Sequence, residues 1–78
     1  MATDEMTYGE KLVGLNFNPS GDETVRELKT LFAEIVDKCA EELAQCDERE
    51  DVSPIWREAI MRSLDAQMWT VKAATWRK

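Results

Sequence analysis

The chain has 78 residues, with 16 acidic and 10 basic side chains, two cysteines and no histidine. Without histidine, a Ser-His or Cys-His nucleophile pair and an imidazole metal ligand are both excluded. A chain this short buries only about 60% of its unfolded surface. We therefore expect a single domain over residues 1–78 that gains stability by self-association.

The charge is distributed unevenly along the chain. Residues 1–51 carry fourteen acidic and five basic side chains, a net charge of −9, whereas residues 52–78 carry two acidic and five basic side chains, a net charge of +3. Non-specific binding to DNA or RNA needs a basic surface, so this balance argues against a long nucleic acid as partner. It is compatible with a few cations around a small anionic ligand.

The first 18 residues differ in pattern from the rest. Residues 6–12 fit one helical turn, whereas residues 13–18 alternate with period two, as an extended strand or arm does. We predict an N-terminal arm or short helix that packs across the remaining chain. Residues 1–10 lack the apolar core of a signal peptide, and no apolar run is long enough for a bilayer, so we expect a soluble protein without a membrane partner.

From Val25 onward, apolar residues recur at helical steps of three and four. The positions are Val25, Leu28, Phe32, Ile35, Cys39, Leu43 and Cys46, with Leu31 and Val36 widening the stripe. They predict one long helix over about residues 22–46. Its start has two candidate caps, since Ser20 with Glu23 matches a capping box and Asp22 is an alternative N-cap.

The two cysteines, Cys39 and Cys46, lie two helical turns or about 10 Å apart in this helix. That distance is too large for a disulfide. We expect both to be reduced.

The charged segment 47–53 reads as a connector, and Ser53-Pro54 predicts an N-cap followed by proline at the first position of a second helix, over about residues 54–76. This helix is apolar on two sides. One stripe is Trp56, Ile60, Leu64, Val71 and Thr75, and the other is Ala66, Trp69, Ala73 and Trp76.

The short connector predicts an all-α fold in which the two long helices form an antiparallel hairpin. A hairpin covers only one stripe of each helix. The stripe with Trp69 and Trp76 therefore needs either another subunit or the N-terminal arm as a cover, and we expect a homo-oligomer.

A polar turn directly before the first long helix is the most informative candidate site. Free backbone N–H groups at a helix start, with Asn18, Ser20 and Gly21 beside them, could form a cradle for an anion or a nucleotide. The alternative is an ordinary capped helix start.

Several aromatic and basic residues are further candidates for ligand binding. Tyr8, Phe17 and Trp69 could stack on a base, or they could serve in packing. Arg26 and Lys29 lie just inside the first long helix, where each is either solvated or a phosphate contact. The acidic residues show no metal-binding spacing and no paired catalytic arrangement, so we expect no metal, no cofactor and no catalytic residue.

Residues 13–22 (VGLNFNPSGD), with Val25 and Lys29, and residues 64–73 (LDAQMWTVKA) resemble the bacteriophage cyclic-nucleotide sponge family. Its helical-hairpin domain is shared by anti-CBASS protein two and the Thoeris anti-defence sponges. The resemblance covers residues 13–76.

The resemblance implies a non-enzymatic phage protein in the cytoplasm of the infected bacterial host. Such a protein sequesters cyclic oligonucleotide immune messengers, either cyclic dinucleotides such as cyclic GMP–AMP or cyclic trinucleotides, in pockets between the subunits of a homo-oligomer, commonly a hexamer. By the same resemblance, Tyr8 or Phe17 stacks on a base, and Lys29 and Thr30 meet the phosphates.

Two other functions remain open. The chain could be a non-enzymatic oligomeric helical adaptor or inhibitor that binds a host protein through Trp69 and Trp76. Alternatively, its acidic first half could mimic nucleic acid. Thermal stabilisation by a cyclic dinucleotide is expected of the sponge alone.

Overall fold

The computed structural model describes residues 5–19, 21–47 and 49–76. These residues form three α-helices and no strand: α1 is Tyr8–Val13, α2 is Glu23–Gln45 and α3 is Val52–Ala74. The prediction of an all-α fold is confirmed. Among the described helices, none combines the length and the apolar character that a bilayer crossing requires.

The short helix α1 is fixed at both ends by its own sequence. The hydroxyl of Thr7 accepts a hydrogen bond from the Glu10 backbone N–H at 3.1 Å, and the Thr7 backbone N–H donates to the Glu10 carboxylate at 3.0 Å. This reciprocal pair is a capping box. The helix ends at Gly14, whose φ of 67° lies in the left-handed region that glycine adopts readily.

Of the predicted arm or short helix, the structure has the short helix α1, and the period-two alternation over residues 13–18 does not produce an extended segment. Val13 is the last residue of α1, and the Phe17 N–H donates to the Gly14 carbonyl at 2.9 Å, which closes a turn. The left-handed Gly14 reverses the chain direction here. The alternation therefore marks which residues of the turn are buried, namely Val13 and Leu15.

Helix α2 begins at the alternative cap. The Asp22 carboxylate accepts a hydrogen bond from the Val25 N–H at 3.2 Å, so Asp22 is the N-cap. Ser20 lies outside the described residues. The helix ends at Gln45, with Cys46 as its C-cap, and both cysteines are free thiols.

Helix α3 begins at Val52, two residues before the predicted start at residue 54, and ends at Ala74. Pro54 is thus the third residue of the helix, where a backbone N–H has no partner within the helix and its loss is tolerated. Ser53 does not cap the helix. It is buried, and its hydroxyl accepts a hydrogen bond from Arg57 at 2.9 Å.

The core lies along α2, which packs on both α1 and α3. One cluster joins Val13 and Leu15 to Ala33, with Leu64 packed against it. A second cluster joins Val36 and Cys39 of α2 to Ile60 of α3. These two clusters hold the three helices together.

The buried line of α2 is rotated from the stripe that the apolar pattern predicts. The line consists of Val25, Lys29, Ala33, Val36 and Cys39. Leu31 and Ile35 are exposed instead. The reason is that two elements contact α2, and the small Ala33 lies where α1 comes closest.

Gly9 is the point of closest approach between α1 and α2. Its N–H donates to the Asp37 carboxylate at 2.6 Å. A Cβ added at Gly9 would overlap the Ala33 carbonyl oxygen and lie 2.8 Å from the Asp37 carboxylate oxygen. Only glycine fits this contact without displacing backbone atoms.

We expect Gly9→Ala to destabilise the protein by about 1–3 kcal/mol, the usual effect of overpacking. In an unhindered helix the same change would stabilise by up to about 1 kcal/mol, so the sign of the effect tests the contact. Urea denaturation at fixed protein concentration measures it, with the exposed Lys11→Ala in the same helix as control. A Gly9→Ala variant as stable as the control would contradict the close approach.

Candidate functional site

An apolar groove of about 630 Å³ lies between the turn after α1, the start of α2 and the second half of α3. The apolar walls of the groove include Leu64, Met68 and Val71 of α3 and Val25 of α2. The volume falls within the range of small-ligand sites. Four polar side chains line the groove: Asn18, Lys29, Gln67 and Thr75.

Lys29 is the cation of this groove. It is only 6% exposed. Its ammonium donates to the Gly14 carbonyl at 3.0 Å and to the Phe17 carbonyl at 2.5 Å. An ammonium has three donors, and the two carbonyls use two of them, so the third has no partner among the described residues.

Of the two alternatives for Lys29, the solvated one is wrong, and the sequence contains the reason. Lys29 stands four residues after Val25 and four before Ala33, which places all three on one face of α2. The two carbonyl groups of the turn compensate for its burial, because a buried charge needs hydrogen bonds. This burial lowers the pKa of Lys29 below its usual 10.5 through desolvation of the ammonium.

Phe17 is the aromatic residue that the structure brings to Lys29. Its ring centroid lies 5.6 Å from the Lys29 nitrogen, at the distance of a cation–π contact. The side chain is 72% exposed and lines the groove. A flat ring at the mouth of the groove and a cation within it are thus adjacent.

Asn18 and Thr75 also line the groove but are engaged locally. The Asn18 amide donates to the Asp22 carbonyl at 2.9 Å, which ties the turn to the start of α2. The Thr75 hydroxyl donates to the Val71 carbonyl at 2.9 Å.

The other predicted site residues lie elsewhere in the described chain. Tyr8 is exposed at the first position of α1 and does not line the groove. Arg26 and Thr30 line a separate recess on α2, where the Thr30 hydroxyl donates to the Arg26 carbonyl at 2.9 Å. Gly21 is exposed with a φ of 65°, and Ser20 lies outside the described residues.

Trp69 belongs to a third recess, on the side of α3 that faces away from α2. It lies there with Trp76, and the two indoles are 64% and 72% exposed. The Lys72 ammonium is 5.5 Å from the Trp69 ring and 5.9 Å from the Trp76 ring. The predicted second stripe of this helix is therefore an exposed aromatic surface around a cation.

Gln67 lines the groove and was missed by the sequence reasoning. It is 3% exposed, and its side-chain amide makes no hydrogen bond to any described residue. A signal existed, because Gln67 falls seven residues after the buried Ile60 and therefore on the buried face of α3.

The groove combines one cation, one exposed aromatic ring, one free amide and apolar walls. This is the chemistry of binding a flat ligand that carries negative charge. Within residues 5–19, 21–47 and 49–76, no three histidine, cysteine or acidic side chains are grouped so as to hold a metal ion.

Comparison with known proteins gave no relative. No protein-family model matches the chain, and no curated protein and no solved structure matches it either.

The lowered pKa of Lys29 predicts a pH dependence of stability. Between the lowered value and 10.5, the unfolded chain keeps a proton that the folded chain has released, so the free energy of unfolding rises with pH in this window. The neutral amine still has two N–H donors for its two carbonyl partners. The groove is therefore expected to survive deprotonation.

Urea denaturation of the wild type and of Lys29→Met tests this dependence at about pH 8 and about pH 10. The variant lacks the titrating group, whereas all other lysines are common to both proteins. We expect the stability difference, wild type minus variant, to be larger at the higher pH. An unchanged or smaller difference would show that burial does not disfavour the charged form.

Proposed function

We propose that the protein binds and sequesters cyclic oligonucleotide messengers without cleaving them, as a phage anti-defence protein in the cytoplasm of the infected host. The groove beside Lys29 is the observation that carries the proposal. Its buried ammonium has one donor left for a phosphate, and Phe17 offers an exposed ring for a base. The resemblance of residues 13–22 and 64–73 to the sponge family supports the same ligand class.

We further propose that α2 and α3 form an antiparallel hairpin that assembles as a homo-oligomer, with a hexamer favoured. The accessible surface of the chain is 5824 Å², compared with about 4,900 Å² for a compact monomer of this mass. The radius of gyration is 14.1 Å, compared with about 12 Å for a compact domain of this length. The excess surface, about 1,000 Å², is close to what one partner buries in a standard interface.

Sequestration follows from mass action and needs no reacting group. When protein exceeds messenger and binding is tight, the free messenger falls below the level that its effector requires. A cyclic dinucleotide has two phosphates and two bases, so two copies of a groove with one cation and one aromatic ring match both halves of the ligand.

Calorimetric titration with cyclic GMP–AMP, followed by heating of the complex and chromatography of the released nucleotide, tests the proposed function. We expect saturable binding and recovery of intact cyclic GMP–AMP. A linear or shortened product at catalytic protein concentrations would identify an enzyme. Absence of binding to cyclic di- and trinucleotides would refute the sponge function.

Phe17→Leu tests whether the ring in the groove stacks on a base. We expect its affinity for cyclic GMP–AMP to fall about tenfold, since base–aromatic stacking contributes about 1–3 kcal/mol. Tyr8→Leu is the matched control, because Tyr8 is also exposed but lies outside the groove. A loss in Tyr8→Leu alone would assign the stacking role to Tyr8.

A second function is favoured by the exposed aromatic surface of Trp69, Lys72 and Trp76. Two indoles exposed by more than half are typical of protein interaction surfaces, so an adaptor or inhibitor that binds a host protein remains the alternative proposal. It predicts a stable host protein complex that persists when cyclic GMP–AMP is absent.

Sedimentation equilibrium tests the proposed assembly. We expect the wild type to be oligomeric at micromolar concentration and Val71→Asp to dissociate or unfold, because an unpaired carboxylate would enter the partly buried apolar face of α3. A folded wild-type monomer would contradict the assembly without excluding binding in the groove.

A further inference from the structure

Gln67 is a polar residue of the groove. Its side-chain amide has no hydrogen-bond partner in the described part of the chain. Of the four polar side chains that line the groove, Asn18, Lys29 and Thr75 each donate to a backbone carbonyl. The amide of Gln67 makes no hydrogen bond to any residue that the structure describes, although 97% of the residue is buried. Buried polar groups normally have partners, so this one requires an explanation.

The amide keeps access to the open volume of the groove. No side-chain nitrogen or oxygen that is sealed from solvent in the described part of the chain lacks a hydrogen-bond partner. Since the Gln67 amide has no such partner, its remaining exposure is to the groove that it lines. A ligand that fills the groove must therefore replace the hydrogen bonds of this amide to water or leave it unsatisfied.

A primary amide offers a donor and an acceptor side by side. The edge of adenine that carries N6 and N7 offers the complementary pair, with the N6–H₂ group as donor and N7 as acceptor. The equivalent edge of guanine carries O6 and N7, which are both acceptors. An amide in a fixed position discriminates between these two edges.

We propose that Gln67 is a specificity-determining residue that recognises the base of a nucleotide bound in the groove and favours adenine over guanine. Lys29 would meet a phosphate, Phe17 would lie against the base, and the Gln67 amide would pair with its edge. The inference rests on the proposed function, because it assumes a nucleotide ligand. It goes further by assigning a base preference to a residue that hydrogen-bonding geometry singles out.

The test is calorimetric titration of the wild type and of Gln67→Met with cyclic di-AMP and cyclic di-GMP. Methionine has nearly the shape of glutamine but no amide. We expect the wild type to bind cyclic di-AMP at least about tenfold more tightly, and the variant to lose about tenfold in affinity for cyclic di-AMP. Affinity for cyclic di-GMP should change by less than about threefold, so the preference disappears.

Two controls separate recognition from structure. Gln45→Met, at the exposed end of α2, should bind both ligands as the wild type does. The unliganded melting temperature of Gln67→Met should be equal to or higher than that of the wild type, because the substitution breaks no hydrogen bond within the described chain and removes a polar group from a largely buried position. A lower melting temperature with equal losses for both ligands would make Gln67 a structural residue and overturn the proposal.

Gln67→Glu supplies a second variant. A carboxylate is an acceptor only, so it can accept from adenine N6–H₂ but cannot donate to adenine N7, and it meets only acceptors on the O6/N7 edge of guanine. We expect this variant to bind cyclic di-AMP more weakly than the wild type does, and to bind cyclic di-GMP more weakly still. A wild type that prefers cyclic di-GMP, or a Gln67→Met variant that keeps the adenine preference, would refute the role of Gln67 and leave the proposed function standing. A wild type that binds no cyclic di- or trinucleotide would refute both.

Discussion

The hydrogen bonds of the Lys29 ammonium are the interaction on which this structure depends. It joins the turn after α1 to α2 through the Gly14 and Phe17 carbonyls. Leu15 also packs on Ala33 of α2, but the buried charge makes these hydrogen bonds necessary, because an ammonium buried without them would be strongly unfavourable. The same bonds hold Phe17 at the mouth of the groove. The Lys29 side chain therefore both joins the turn to α2 and supplies the cation of the candidate site.

The groove is open because the chain is short. Three helices cannot enclose a full core at this length, so much apolar surface stays open beside Lys29 and around Trp69 and Trp76. A ligand and a second copy of the chain are the two occupants we propose for these surfaces. Binding by either would stabilise the folded state by mass action, so stability, assembly and ligand binding should be linked.

Much of the helical structure was predictable because it follows from local pattern. The helical period of α2 and the Asp22 cap depend on residues a few positions apart, so the sequence predicts them, although not which face of α2 is buried. The predicted start of α3 is two residues late because Pro54 takes the third position of the helix rather than the first. The site was less predictable. Lys29 and Gln67 are polar residues on buried faces, and only the packing of other helices against those faces shows what surrounds them. The contact of Gly9 with Ala33 is likewise tertiary.

Nitrogen-15 NMR of the lysine side-chain ammonium groups, recorded during titration with cyclic GMP–AMP, tests most directly whether the groove binds an anionic nucleotide. Lys29→Met assigns the Lys29 signal. We predict that this signal shifts most on binding, because the remaining donor of its ammonium gains a phosphate partner. A shift confined to Lys72, between the two exposed indoles, or no shift of any lysine signal at saturation, would contradict the assignment of the groove as the ligand site.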